Sequence, residues 1–259
     1  MENTQQPTYQ FPSEEVTLPS KGLLYPKESP LSKGVIQMKY MTAKEEDILT
    51  NQNYISKGIV IDKLLQSLIL TPINFNDLLL GDKNAILVAS RILGYGSDYS
   101  FKLKHPLTGE DEEVTVDLTE AEDKPLDEGF SLENGNQFDF VLPTSQIPIT
   151  FQLMTHGLER KIESELKGLK KIHKLNVPEL TTRLKSLITS VDGDFDIKTI
   201  REFIDTRLLA KDARALREYV KDMMPDIDLE YDIEFEDGHI QEDVIIPITV
   251  NFFWPDAGI

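Results

Sequence analysis

Tyr99-Ser-Phe-Lys-Leu-Lys-His-Pro-Leu-Thr-Gly109 alternates apolar Tyr99, Phe101 and Leu103 with polar neighbours, then reaches the turn formers Pro106 and Gly109. Val114, Val116 and Leu118 resume the alternation. A period of two sends alternate side chains to one face of a strand, so the segment reads as a β-hairpin with an apolar face. The pattern returns near the end of the chain. Tyr231, Ile233 and Phe235 lead into Glu236-Asp-Gly-His239, and Val244, Ile246, Ile248 and Val250 lead out. Each hairpin closes a run of helical periodicity, which predicts an α+β fold made of helical modules, each followed by a β-hairpin.

Upstream of the first hairpin, Val35 to Tyr40 alternates as a strand. Thr42 with Glu45 then forms a capping box that opens a helix. Ile61, Leu64, Leu65 and Leu68 repeat at helical spacing, as do Ile86, Leu87, Ser90 and Leu93 before Gly94-Tyr-Gly96 stops them. Leu18 to Pro26 mixes turn formers with apolar anchors and is expected to lie extended over the core. Residues 1–16 are polar and read as a flexible tail. Downstream, Glu110 to Glu133 holds eleven acidic residues and one lysine, a solvated hinge that places a module boundary near residue 125. The second module, 126–259, begins with two strands around Phe138 to Leu142 and Ile149 to Leu153. Four helical stripes follow, from Leu158 to Leu169, Leu180 to Ile188, Ile197 to Leu208 and Leu216 to Met223. Pro178 opens the second stripe, Asp196 caps the third and Pro225 stops the fourth. The two modules share little identity, so an internal repeat is no more than a resemblance of pattern.

The chain has 259 residues and 40% hydrophobic content, enough for one large domain or two modest ones with a buried core. No stretch approaches the roughly 18 apolar residues of a membrane span. The polar start Met1-Glu-Asn-Thr-Gln-Gln-Pro7 has no basic or apolar signal region, so no secretion signal is expected. Cysteine is absent, which removes disulfides and thiolate chemistry and suits a reducing cytoplasm. The net charge of -18 disfavours phosphate backbones and anionic membranes, permits a basic protein partner, and is otherwise a source of solubility.

Residues able to do chemistry are scattered. His105, His156, His173 and His239 form no HxxxH-type pair, and His105 and His239 read as exposed residues at the two hairpin tips. Asp192-Gly-Asp194-Phe-Asp196 places its glycine and its twelfth residue, Phe203, wrongly for a calcium loop. There is no Walker loop, dinucleotide fingerprint or nucleophile elbow. No metal or cofactor is expected. Three segments are instead candidates for binding a partner: Leu23, Leu24 and Tyr25; Arg214 and Arg217; and Phe253 with Trp254, the single tryptophan. For the aromatic end the alternative is core packing. For the arginines it is pairing with nearby acids, with Asp212 at the amide end of the helix.

Leu18-Pro-Ser-Lys-Gly-Leu-Leu-Tyr-Pro26, Met38-Lys-Tyr-Met-Thr-Ala-Lys-Glu-Glu-Asp-Ile-Leu49 and Asn251-Phe-Phe-Trp-Pro255 together resemble the T4-like bacteriophage baseplate hub subunit and hub-assembly family, from about residue 15 onward. Asp212-Ala-Arg-Ala-Leu-Arg217 followed by Pro225 fits the same pattern. The resemblance implies a structural or chaperone-like role in building the hub of a contractile tail, with hub or tape-measure proteins as partners. It implies residence in the host cytoplasm during assembly and a possible place in the virion. Relatives carry Cys-x-x-Cys-like pairs at the hairpin turns, as in zinc ribbons. Here His105-Pro-Leu-Thr-Gly109 and Glu236-Asp-Gly-His239 stand instead, so metal-free hairpins are expected. The rival readings are a general acidic adaptor or chaperone outside phage biology and a hydrolase using a carboxylate pair.

Overall fold

The computed structural model describes residues 12–126, 130, 133, 135–172, 177–246, 248 and 250–253. The fold is α+β, with several small antiparallel sheets among the helices. Strand β1 (Ser13–Thr17) pairs with β2 (Val35–Lys39), matching Glu14 to Met38 and Val16 to Ile36. Residues 13–16 were expected in a tail. The exposed, polar Ser13, Glu14 and Glu15 hide an edge strand whose main chain is satisfied by β2.

Between these strands, Leu18 to Tyr25 does not run extended. It folds into successive turns, with Lys21 N–H donating to Leu18 O, Leu23 to Ser20 and Tyr25 to Gly22. Gly22 sits at φ 78°, and a Cβ there would lie 2.5 Å from the Ser32 carbonyl oxygen, so the turn requires glycine.

Helices α1 (Ala43–Leu49), α2 (Gln52–Ser56), α3 (Val60–Leu68) and α4 (Leu80–Tyr95) complete the helical part of the first module. The Glu45 carboxylate accepts the Thr42 N–H at 3.0 Å, which closes the expected box. It also accepts Lys39 Nζ at 2.8 Å and Ser67 Oγ at 2.6 Å, tying β2, α1 and α3 together. Hairpin β3–β4 follows (Asp98–Lys104 and Asp111–Asp117), with Tyr99 opposite Val116 and Phe101 opposite Val114. The acidic run therefore begins as a strand: Val114 and Val116 bury one face while the carboxylates take the other.

In the second half, β5 (Phe138–Val141), β6 (Pro148–Phe151) and β7 (Ile188–Val191) form a three-stranded sheet. Helices α5 (His156–Ile172), α6 (Glu179–Leu187), α7 (Ile197–Thr206) and α8 (Ala210–Met223) surround it. Strand β7 was hidden in the sequence because Ile188 prolongs the apolar rhythm of Leu184 and Leu187. Asp196 caps α7 by accepting the Thr199 N–H. The closing hairpin is β8 (Glu230–Glu234) and β9 (Ile240–Ile245). Its second strand ends earlier than the alternation to Val250 predicts, and Val250–Phe253 is a short 3-10 helix.

One continuous core joins the halves, running from Leu18, Leu64 and Ile86 to Phe151, Phe203 and Phe253. The segment near residue 125 is bonded to the later chain: Lys124 N–H donates to Asp226 O, and Asp228 N–H to Glu122 O. The chain end is held by Arg91, only 2% exposed. Its guanidinium donates to the carbonyls of Phe252 at 3.1 Å, Gly96 at 2.8 Å and Asp98 at 3.0 Å. A charge removed from water needs several acceptors, and three carbonyl dipoles supply them.

Candidate interaction surfaces

The buried carboxylates act as tie points between segments. Asp82, near the start of α4, accepts Ser20 N–H at 2.9 Å, Ser20 Oγ–H at 2.7 Å and the Tyr25 hydroxyl. Tyr25 Oη in turn accepts Leu79 N–H at 3.0 Å. Burial pushes the Asp82 carboxyl above its ordinary value, against the pull of these donors. Asp212 accepts the amides of Thr144 at 2.7 Å and Ser145 at 3.0 Å, docking α8 on the β5–β6 turn. Burial works against its charge, yet the donors from Thr144 and Ser145 hold the carboxyl below the ordinary range. Asp62 joins α3, α4 and α5: Lys83 Nζ lies 2.9 Å from one oxygen, and His156 Nε2 and Arg160 Nη1 each lie 3.4 Å from the other. Burial, then the Lys83 charge, lowers the His156 pKa.

These contacts relocate several candidate binding residues. Leu24 and Tyr25 are buried, and Tyr25 is committed to Asp82. Phe253 is fully buried beside Phe252. All three are corrected from exposed anchors to core side chains, because each fills space under the strands and helices that cover it. Leu23 is half-buried against the same core. Arg214 is exposed and pairs with Glu218 at 2.8 Å, while Arg217 is exposed and donates to Ala213 O. Trp254 and His173 lie outside the described residues. The basic side chains around α5 and α6 are also partly spent internally, as Arg183 on Glu159 and Lys185 on Asp205 show.

The two hairpins, remote in sequence, meet at their tips. His105 is 4% exposed, not an exposed turn residue as expected, because its ring packs edge-on at 4.5 Å to Phe235. His239 lies 5.5 Å from it, centroid to centroid. His105 Nδ1 accepts the amides of Leu107 and Thr108, which leaves the ring proton on Nε2. Zinc does not fit here. One ring nitrogen of His105 is already an acceptor for the turn, and among the described residues no three His, Cys, Asp or Glu side chains converge on a metal position.

Two surfaces among the described residues are open to a partner. One is apolar: Val141, Phe195 and Ile197 are 55%, 67% and 64% exposed. Val141 and Phe195 border a cleft of about 370 Å³ with Phe140 and Ile149 on the three-stranded sheet. The other is a strongly acidic groove of about 550 Å³ between β4 and β8. Sequence alternation placed β5, β6 and the two hairpins, but not β7. It gave no sign that the hairpins would lie side by side, and only the apolar Phe195-x-Ile197 beside Gly193 hinted at an exposed patch.

No described helix is long and apolar enough to cross a membrane. No curated protein and no solved structure matches the chain. The family model described as T4 bacteriophage base plate protein matches residues 15–254, a span that takes in the turns around Ser20 and Tyr25, the Glu45 cap and the Phe252–Phe253 closure, and the chain belongs to that family.

Proposed function

We propose that this protein is a hub subunit or hub-assembly factor of the baseplate of a contractile-tailed phage, working by holding other proteins and not by catalysis. The observation that carries this reading is the exposed Val141, Phe195 and Ile197 patch beside its cleft. Val141 ends β5, Phe195 follows β7 and Ile197 opens α7; exposed apolar side chains beside a cleft are what an interface anchors on, and acidic surroundings orient the partner. The buried acids Glu45, Asp82 and Asp212 are occupied by hydrogen bonds that hold the fold, which argues against the carboxylate-pair hydrolase. In this reading the protein assembles in the host cytoplasm with hub or tape-measure proteins as partners, and membership of the baseplate family supports it. Leu23, Arg214, Arg217 and Trp254 stay with the patch as candidate contacts. The segments 17–125 and 126–259 are read as two modules joined through their shared core.

Affinity capture of the tagged chain from infected cells tests the proposal. Tail proteins should co-purify with it, and a Val141→Ser/Phe195→Ser variant that folds normally should recover them at least about tenfold less well. Mass spectrometry of purified virions then separates a hub subunit, which is retained, from an assembly factor, which is absent. A wild-type chain that captures no tail protein and is missing from virions would overturn the assignment.

A further inference from the structure

The groove between the hairpins carries a second binding mode, more specific than the apolar patch. Hairpin β3–β4 and hairpin β8–β9 are separate two-stranded sheets, and no main-chain hydrogen bond joins β4 to β8. Yet the two strands face each other along their lengths. Glu112 Oε1 accepts the Glu236 N–H at 2.6 Å at one end, and the Tyr231 hydroxyl reaches Asp117 O at 3.3 Å at the other. The order of these contacts makes β4 and β8 antiparallel, with only side chains spanning the gap. Consecutive residues of both strands, 112–117 and 231–236, line the 550 Å³ between them. Both hairpins bury the same side: Val114 and Val116 in one, Ile233 and Phe235 in the other. The arrangement is that of one sheet with a strand missing between its two inner edges.

Unpaired strand edges template the addition of another strand. Six residues at about 3.3 Å each make a slot roughly 20 Å long. Glu113 and Glu234 project on its solvent side as exposed carboxylates, while the exposed Asp232 accepts the Asp243 N–H of β9 at 3.2 Å. At the tip end the slot continues into a space of about 450 Å³ bordered by His105 and Asp237. There the buried Nε2–H of His105 makes no hydrogen bond: Asp237 Oδ1 lies 3.3 Å away, out of line with the donor. Asp237 is an exposed and poorly aligned acceptor, and the carbonyl of an inserted chain would offer the buried donor a better one.

The geometry points to a site between β4 and β8 for an extended segment of a partner protein that carries Lys or Arg at alternate positions. Its main chain pairs with the two edges, and its basic side chains meet Glu113 and Glu234. This deepens the protein-binding reading above and supplies the partner's chemistry.

The probe is a fluorescein-labelled eight-residue peptide alternating lysine and valine, titrated against the whole chain by fluorescence anisotropy. Two control peptides have the same composition: one in scrambled order, one N-methylated at alternate backbone amides. The alternating peptide should bind, weaken with added salt, and shift the amide resonances of 112–117 and 231–236. N-methylation should abolish binding. Glu113→Lys/Glu234→Lys, both solvent-facing and checked for folding by circular dichroism, should weaken it at least about tenfold. Equal binding of all three peptides would reduce the groove to a diffuse anionic surface and overturn the proposal. So would shifts confined to another region, or no binding at low salt. Capture of tail proteins through the apolar patch would survive each of those failures, so the two readings fall separately.

Discussion

Replacing Asp82 with alanine tests whether the turns at Leu18 to Pro26 are held by one carboxylate. The side chain is fully buried and serves three donors: Ser20 N–H, Ser20 Oγ–H and the Tyr25 hydroxyl. Truncation leaves those donors in an apolar surrounding, at about 1–3 kcal/mol each when no partner replaces the lost one. Some are recovered by relaxation, because Ser20 Oγ can still accept from Gly22 N–H at 3.2 Å and its proton can turn. The expected loss is about 3–5 kcal/mol. Tyr25→Phe removes one donor to Asp82 and the acceptor for Leu79 N–H, and should cost about 1–2 kcal/mol.

The two residues share a bond, so their effects should not add. The double variant should be more stable than the sum of the single losses predicts, by about 1–2 kcal/mol. Urea unfolding followed by circular dichroism measures all three. With a slope near 3 kcal/mol/M for a chain this long, Asp82→Ala should lower the midpoint by roughly 1 M or more. A loss below about 1 kcal/mol, or strict additivity with Tyr25→Phe, would refute the idea that the carboxylate holds the turns.

Three further outcomes follow from other tie points. Glu45 is opposed by burial, but Lys39, Ser67 and Thr42 hold its carboxyl at about 2 against an ordinary 4.5. A depressed carboxylate stabilises the fold above its unfolded pKa, and that contribution is lost as pH falls from about 4.5 toward 2. Glu45→Gln should therefore flatten the loss of stability in that window when unfolding is measured across pH. Asp212→Ala strands the Thr144 and Ser145 amides and should cost about 2–4 kcal/mol, with hydrogen exchange at those two amides rising before exchange elsewhere. Gly81→Ala would ordinarily favour a helix, but its Cβ would lie 1.7 Å from the Pro225 carbonyl oxygen, so calorimetry should show a loss of roughly 2–4 kcal/mol in place of a gain.

The legible parts of the fold were those whose signal is local. Periodicity is set by neighbours three, four or two apart, so Leu64, Leu65 and Leu68 marked α3, and Tyr99, Phe101, Val114 and Val116 marked the first hairpin. The Thr42–Glu45 box and the Asp196 cap were readable because donor and acceptor lie three residues apart. What escaped depends on partners far along the chain. Ser13-Glu-Glu-Val-Thr17 is a strand only because β2 satisfies its main chain, and Ile188 leaves the helical rhythm only because β6 offers an edge. Asp82 stands in Gly81-Asp-Lys-Asn84 after three leucines, where it reads as a polar residue of a first helical turn, and only the distant Ser20 and Tyr25 make it a buried tie point. The binding surfaces were least legible. Tyr25 and Phe253 carry the residue types of anchors, but residue type does not distinguish an aromatic facing a partner from one facing the core.

The net charge of -18 also divides in a way that composition hides. Acids drawn into the interior, such as Glu45, Asp82 and Asp212, are each matched with two or more donors from another segment, so they join elements that the chain order keeps apart. Acids left on the hairpins are supplied more sparsely: Glu112 accepts the Glu236 N–H and Asp232 the Asp243 N–H. Glu112, Glu113, Asp232, Glu234 and Glu236 crowd two facing strands and repel one another across a gap of a few ångströms to about a Debye length, where salt screens them only in part. Such repulsion opposes closing of the edges of β4 and β8 on each other. An unpaired edge on a protein that exists to be assembled would invite misassembly with its own copies. Like charge rejects a second copy of this acidic edge while leaving a basic strand welcome, so the feature that opposes closing of the groove also selects what can fill it.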